Sequence, residues 1–95
     1  MFTILLTFSE NRAKASQFME GHKRWISQGF DEGVFLVVGN LQPSRGGGIL
    51  AYNTTMEELT ERLNADPFVI EKIVEAEIIE ITPARMDERL EFLKA

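Results

Sequence analysis

The chain has 95 residues, of which 44% are hydrophobic and 26% are charged, and its net charge is −5. This composition is ordinary for a folded protein, and the length suits a single domain spanning residues 1–95. The acidic balance, with no segment that concentrates Lys or Arg, argues against nucleic acid and anionic membranes as partners, because both attract positive protein surfaces. With no cysteine and one histidine, we expect neither disulfides nor a metal site.

The N-terminal segment predicts a strand rather than a leader or a membrane helix. Over Phe2–Phe8, apolar residues recur at every second position, which is the period of a strand. No basic residue precedes this run and no small-residue cleavage site follows it, as a secretory leader would require. The run is also far shorter than the roughly 20 apolar residues of a membrane-spanning helix. These features and the absence of cysteine predict a cytoplasmic protein.

Residues 11–29 predict a long first helix, because apolar positions three and four residues apart share one helical face. Ser9 precedes this segment as a candidate helix start, and Gly29 is expected to end the helix. The predicted face carries the only histidine of the chain among its apolar residues. Its members are Ala15, Phe18, Met19, His22, Trp25 and Ile26.

The middle of the chain predicts two strands separated by a loop. Residues 34–38 form an unbroken apolar run, residues 39–48 have the composition of a loop, and residues 49–52 make a short strand. A strand that is apolar on both sides is expected to be buried on both sides. Two explanations are open. The strand is central in the sheet, or the open face of the sheet packs on a second subunit, which we favour.

The second half predicts a capped helix, a break, a strand and a tail helix. Thr54 or Thr55 begins the helix, and Pro67 ends it by disfavouring helical backbone at the preceding residue. A further helical turn is expected after Pro67, then a strand over residues 76–82 and an amphipathic helix over residues 84–93. The complete order of elements predicts an α+β, ferredoxin-like βαββαβ fold with a C-terminal helix.

His22 and Asp66 form the first candidate site. In a ferredoxin-like fold both helices cover the same sheet face, so the first helix and the break after the second are expected to lie close together. A carboxylate at Asp66 would accept the imidazole N–H and fix its tautomer, as a general base requires. The structural alternatives are a hydrogen-bonded core histidine at position 22 and a helix-capping Asp66.

A set of positions along the chain matches a known family pattern. The set comprises the short N-terminal strand, His22, Gln28-Gly29, Gly33, Gly39-Asn40-Leu41, Pro43-Ser44, Ala65-Asp66-Pro67-Phe68 and Glu77. On these positions the sequence resembles the YCII-related family of the dimeric α/β-barrel superfamily, over the chain up to about Pro83. It departs from the family pattern at Asn40, where proline is usual, and in the short glycine-rich segment after Ser44.

The resemblance implies a homodimer in which two ferredoxin-like sheets close into a barrel, and a His–Asp pair, here His22 and Asp66, proposed to be catalytic. Related folds serve ring isomerisation, dehydrochlorination of chlorinated aromatics and cofactor-free oxidation. The implied function is a small cofactor-independent enzyme of the lyase or isomerase type, with His22 as general acid or base on a small aromatic or enol-like substrate. The alternative is a small-molecule-binding or accessory module in which the pair is structural.

Three further residues are candidates for substrate contact. Ser44 stands where the family often places a polar residue near the pocket. Arg45 is suited to an anionic substrate through a charge-assisted hydrogen bond, and Trp25 is close enough to His22 in sequence to line a pocket wall. The alternative is that Ser44 and Arg45 are solvent-exposed loop residues and that Trp25 belongs to the core.

Overall fold

A computed structural model describes residues 1–94, which contain four strands, three α-helices and two 3-10 segments. None of the helices in this range is long and apolar enough to cross a membrane. The elements are β1 (Phe2–Phe8), a 3-10 segment (Arg12–Lys14), α1 (Ala15–Asp31), β2 (Phe35–Leu41), β3 (Gly46–Ala51), α2 (Met56–Leu63), α3 (Pro67–Ile70), β4 (Val74–Glu80) and a second 3-10 segment (Glu88–Lys94).

The strands form one antiparallel sheet in the order β2–β3–β1–β4. β1 and β2 therefore run in the same direction with β3 between them, and α1 is the crossover connection that this arrangement needs. The segment that contains α2 and α3 connects β3 to β4 in the same way. This topology confirms the predicted α+β, ferredoxin-like βαββαβ fold.

One face of the sheet is buried beneath the helices, because apolar side chains alternate along its strands. In β1 the buried residues are Phe2, Ile4 and Leu6, and the register places the buried Ile49 of β3 opposite Ile4. The core is completed by Trp25, Val34, Phe35, Ala51, Leu59, Leu63, Phe68, Ile73 and Val74.

Two polar contacts hold the end of α2 against α1. The indole Nε1 of Trp25 donates a hydrogen bond to the backbone carbonyl of Arg62 at 2.8 Å. The Arg62 side chain in turn donates to the Glu32 carboxylate at 2.6 Å, and this hydrogen bond holds the pKa of Glu32 below its usual range. The core tryptophan thus also fixes the position of the second helix.

The opposite face of the sheet carries an exposed apolar row. The strand register places Val37, Leu50, Thr3 and Ile79 side by side across it. Val37 is 53% exposed and Ile79 is 42% exposed. Because β2 is an edge strand, the explanation of residues 34–38 as a central strand is wrong. The apolar side chains of this open face belong to the edge strand and to its neighbours alike.

Residues 39–48 form most of a β-hairpin, so their prediction as a loop is wrong. Residues 39–41 complete β2 and residues 46–48 begin β3, which leaves residues 42–45 as the turn. The glycines belong to the strands rather than to a loop, and one of them allows the neighbouring strand to approach closely. At Gly46, φ is 134°, and a Cβ there would overlap the carbonyl oxygen of Leu6 on the neighbouring strand.

The predicted boundaries of the first helix are wrong at both ends. Its first residues form the 3-10 segment, and α1 continues past Gly29 to Asp31. Gly29 is buried inside the helix because the Phe35 ring packs against it, and a Cβ at this position would overlap that ring. The chain leaves the helix instead near Gly33, where φ is 74°.

The C-terminal elements differ from their prediction in position and type. β4 covers Val74–Glu80 rather than residues 76–82, because its pairing with β1 begins at Val74 and Phe8. The tail is a 3-10 segment rather than an amphipathic α-helix. The Phe92 ring meets the Tyr52 ring edge to face at a centroid distance of 5.4 Å. This aromatic contact joins the tail to the residue that follows β3.

Replacing Gly29 with Ala should destabilise the protein by about 1–3 kcal/mol, because the added methyl group displaces the Phe35 ring. Gly39→Ala is the matched control, since a Cβ at that position meets no atom within 4 Å. Urea denaturation followed by the fluorescence of the only tryptophan measures both free energies of unfolding. Equal stability of the two variants would contradict the described packing.

Candidate active site

The start of α3 lies against the middle of α1, because a glycine leaves room for it. A Cβ on Gly21 would stand 3.1 Å from Cγ of Pro67, so the two helices approach closely. Pro67 is the first residue of α3, where a proline is well accommodated because no backbone N–H is needed. The neighbours of this contact, His22 on α1 and Asp66 before α3, are thereby brought together.

His22 and Asp66 form a hydrogen-bonded pair, with Nδ1 of the imidazole 2.8 Å from Oδ1 of the carboxylate. Asp66 is completely buried, and the His22 side chain is 13% exposed. Because a carboxylate only accepts hydrogen bonds, an ionised Asp66 places the imidazole proton on Nδ1. Nε2 then carries a lone pair, and it has no hydrogen-bond partner anywhere in residues 1–94.

Asp66 is also the N-cap of α3. The same Oδ1 accepts the backbone N–H of Phe68 at 3.0 Å, with Asp66 itself in extended backbone conformation. One carboxylate therefore makes both the helix cap and the histidine contact that the sequence left as alternatives. Its second oxygen, Oδ2, is buried and finds no hydrogen-bond partner among the described residues.

Two aromatic rings hold the plane of the imidazole. The Phe68 ring is parallel to it at a centroid distance of 3.9 Å. The Trp25 ring lies 5.8 Å away at an interplanar angle of 19°, and its own hydrogen bond to Arg62 keeps it in place. The orientation of His22 is therefore fixed by packing as well as by the hydrogen bond to Asp66, as a preorganised site requires.

A cavity of about 380 Å³ lies between the sheet and α1, and His22 forms part of its wall. Among the described residues that line it, Lys23 and Asn40 are the others with polar side chains, and the rest are apolar or glycine. Mostly apolar walls with a few polar groups are typical of small-molecule sites. Within residues 1–94, no group of three or more His, Asp or Glu side chains is arranged to hold a metal ion.

The predicted substrate-contact residues lie outside the lining of this cavity. Trp25 is buried beside the imidazole, and Ser44 and Arg45 are exposed in the turn between β2 and β3. The backbone of Arg45 joins this turn to β1, because its carbonyl accepts the N–H of Phe8 at 2.8 Å. Contact of these three side chains with a substrate stays a prediction.

Sequence reasoning does not single out Lys23, Asn40 or Phe68, although all three line the cavity. Helical periodicity places Lys23 off the apolar face of the helix, so the sequence predicts that Lys23 is exposed to solvent. Asn40 enters only as a departure from the family pattern. The one signal that could have found Lys23 and Phe68 is their proximity in sequence to His22 and Asp66.

Comparisons with known proteins support the fold. No protein-family model matches the chain, and no curated protein matches it. Among solved structures, it is similar to 5-chloro-2-hydroxyhydroquinone dehydrochlorinase from Burkholderia phenoliruptrix AC1100 in complex with 2,5-dihydroxybenzoquinone. The TM-score is 0.69 at 10% sequence identity, over 86% of this chain and 94% of that one. This likeness agrees with the fold that the YCII resemblance implies, and membership of that family stays a prediction.

Replacing Asp66 with Ala should destabilise the protein by about 1–3 kcal/mol, because it removes the cap of α3 and leaves the imidazole N–H without an acceptor. Asp66→Asn is the informative comparison, since asparagine caps helices as well as aspartate does and keeps an acceptor oxygen at Oδ1. We expect the free energy of unfolding of the Asn variant, measured by urea denaturation, to lie within about 1 kcal/mol of that of the unmodified protein. An Ala variant as stable as the Asn variant would contradict the described hydrogen bonds.

Proposed function

We propose that this protein is a small cofactor-independent enzyme in which His22 transfers protons to and from a small planar substrate, while Asp66 positions and stabilises the imidazole. The observation that carries the proposal is the place of the imidazole. Its Nδ1 is held by a fully buried carboxylate, and the same ring forms part of the wall of a cavity. A purely structural pair predicts a filled interior at His22 instead.

The chemistry that suits this arrangement is general acid–base catalysis. With the Nδ1 proton directed to Asp66, the lone pair of Nε2 removes a proton from a substrate carbon or oxygen. The resulting imidazolium is stabilised by the carboxylate at 2.8 Å. Returning the proton to another substrate atom completes an isomerisation. Departure of a leaving group with its bonding electron pair completes an elimination, and neither reaction needs an electron acceptor.

The cavity favours a substrate with a single ring. Its volume of about 380 Å³ lies at the small end of the range for ligand pockets. The parallel rings of His22 and Phe68 and the apolar walls suit a flat, mostly apolar molecule. The complex of the structurally similar dehydrochlorinase with 2,5-dihydroxybenzoquinone supports hydroxylated one-ring compounds as the first substrates to test.

Two reactions test the catalytic proposal. The protein should release chloride from 5-chloro-2-hydroxyhydroquinone, or should exchange the ring hydrogens of 2,5-dihydroxybenzoquinone for deuterium in D2O, as followed by proton NMR. His22→Gln should lower either rate by about 10²–10⁴-fold, because it removes the proton-transfer group. Asp66→Asn should lower the rate while leaving the fold intact.

The matched control is Asp31→Asn, which removes the same charge from an exposed carboxylate at the end of α1. Its rate should equal that of the unmodified protein. An unchanged rate in His22→Gln would contradict the proposal. The absence of both reactions in the unmodified protein would contradict it too, and would favour the alternative of a binding or accessory module.

We also propose that two copies of the chain pack the open faces of their sheets together. The apolar row across that face, with Val37 and Ile79 about half exposed, supports this assembly. The YCII resemblance implies the same arrangement. A domain of this length buries a modest share of its surface when it folds alone, so covering this row would add stability.

Sedimentation equilibrium should give about twice the chain mass of 10.8 kDa. Val37→Asp should dissociate the dimer, because a charge without a partner is costly to bury in an interface. Ile70→Asp is the control, since Ile70 is equally apolar and 57% exposed but lies on α3, away from the sheet face. A monomer in the unmodified protein, or equal effects of the two variants, would contradict the assembly.

A further inference from the structure

The distribution of charge around the cavity is the opposite of that of the whole chain. The sequence has 15 acidic and 10 basic residues. The described lining of the cavity nevertheless contains His22 and Lys23 and no carboxylate. A second cavity, near the chain termini, includes Glu58 and Glu80 in its lining. Of these two cavities, the one beside His22 is therefore suited to a negative ligand.

Lys23 is the residue that sets this charge. It follows His22 on α1, lines the cavity and is exposed, so this residue lies at the border between the cavity and solvent. In the described part of the chain, the ion pairs are His22–Asp66, Arg62–Glu32 and Arg89–Asp87, so Lys23 has no ion-pair partner there.

A second cation contacts one of the residues that line the cavity. The guanidinium carbon of Arg12 is 4.1 Å from the centroid of the Phe8 ring, and Phe8 lines the cavity. The Asp66 carboxylate is not part of the cavity lining and is already bonded to the imidazole. An anion in the cavity therefore meets Lys23 in the lining, and Arg12, which contacts Phe8 of that lining, adds to the positive potential.

We propose that Lys23 is a specificity-determining residue, which selects substrates that carry an anionic oxygen, a carboxylate or a phenolate, and holds that oxygen at the cavity mouth while the ring reaches His22. This inference rests on the proposed function, because it assigns the substrate class of the same site. The apolar walls strengthen the contact, since a charge-assisted hydrogen bond is worth more where water is partly excluded.

The test compares two probes of nearly the same shape, the anionic 2,5-dihydroxybenzoate and its neutral amide, 2,5-dihydroxybenzamide. Quenching of the Trp25 fluorescence reports binding, because this is the only tryptophan and lies 5.8 Å from the imidazole. The unmodified protein should bind the anion about tenfold more tightly than the amide, the effect of one charge-assisted hydrogen bond. Lys23→Gln should remove this preference, and Lys23→Arg should retain it.

Arg24→Gln is the matched control. It removes the same charge from the next residue of α1, which is exposed and does not line the cavity, so the preference for the anion should persist. Equal affinities for the two probes in the unmodified protein would overturn the inference, as would a preference that survives in Lys23→Gln. Failure of the unmodified protein to bind the benzoate at millimolar concentration would overturn it as well.

His22→Gln separates this inference from the catalytic proposal. Its affinities should still differ between the benzoate and the amide, because Lys23 is intact, although its turnover is lost. If the preference depends on Lys23 and turnover survives in His22→Gln, anion recognition stands and the catalytic proposal fails. If turnover needs His22 and no preference exists, the catalytic proposal stands and the role of Lys23 fails.

Discussion

A carboxylate removed entirely from water, that of Asp66, is bonded to the imidazole of His22, and much of the local structure serves this contact. A buried charge is costly unless it is paired and hydrogen-bonded. Gly21 lets α3 come close enough for the pairing, and the N–H of Phe68 supplies a second donor. The other carboxylate oxygen, Oδ2, has no hydrogen-bond partner among the described residues. A buried oxygen without a partner is unusual in a group whose role is stability alone.

The cavity beside this pair arises from the same alternation of side chains between the two sheet faces that builds the core. On the buried sheet face, one row is filled by Ile4, Ile49 and Val38, which pair across β1, β3 and β2. In the next row, Gly47 pairs with Leu6 on one side and with Asn40 on the other, so the middle position has no side chain. The missing side chain at Gly47 leaves space on the sheet surface, and Gly47 lines the cavity together with His22.

Much of this could be predicted from the sequence, because β1 shows a clear period of two and Thr55 caps α2 as expected, accepting the N–H of Glu58. The contact of His22 with Asp66 followed from the fold topology. Glycine was the main source of error. The sequence predicts that Gly29 ends a helix, whereas Gly29 makes room for the Phe35 ring, a tertiary contact that no local pattern records. The sequence does not identify Lys23 as a lining residue for a related reason, since only the folded chain brings the edge of a helix to a cavity.

The proposed proton transfer requires that the Asp66 carboxylate places the proton of His22 on Nδ1 and leaves Nε2 free to act. Because the chain has one histidine, a long-range nitrogen–proton NMR correlation of the uniformly ¹⁵N-labelled protein observes this imidazole without overlap. The spectrum is recorded at a pH where the ring is neutral, and Asp66→Ala, which removes the acceptor of the imidazole N–H, is the comparison. We predict the Nδ1–H tautomer in the unmodified protein and a loss of that preference in the Ala variant. An Nε2–H tautomer in the unmodified protein would contradict it, because the nitrogen proposed as the base would already carry the proton.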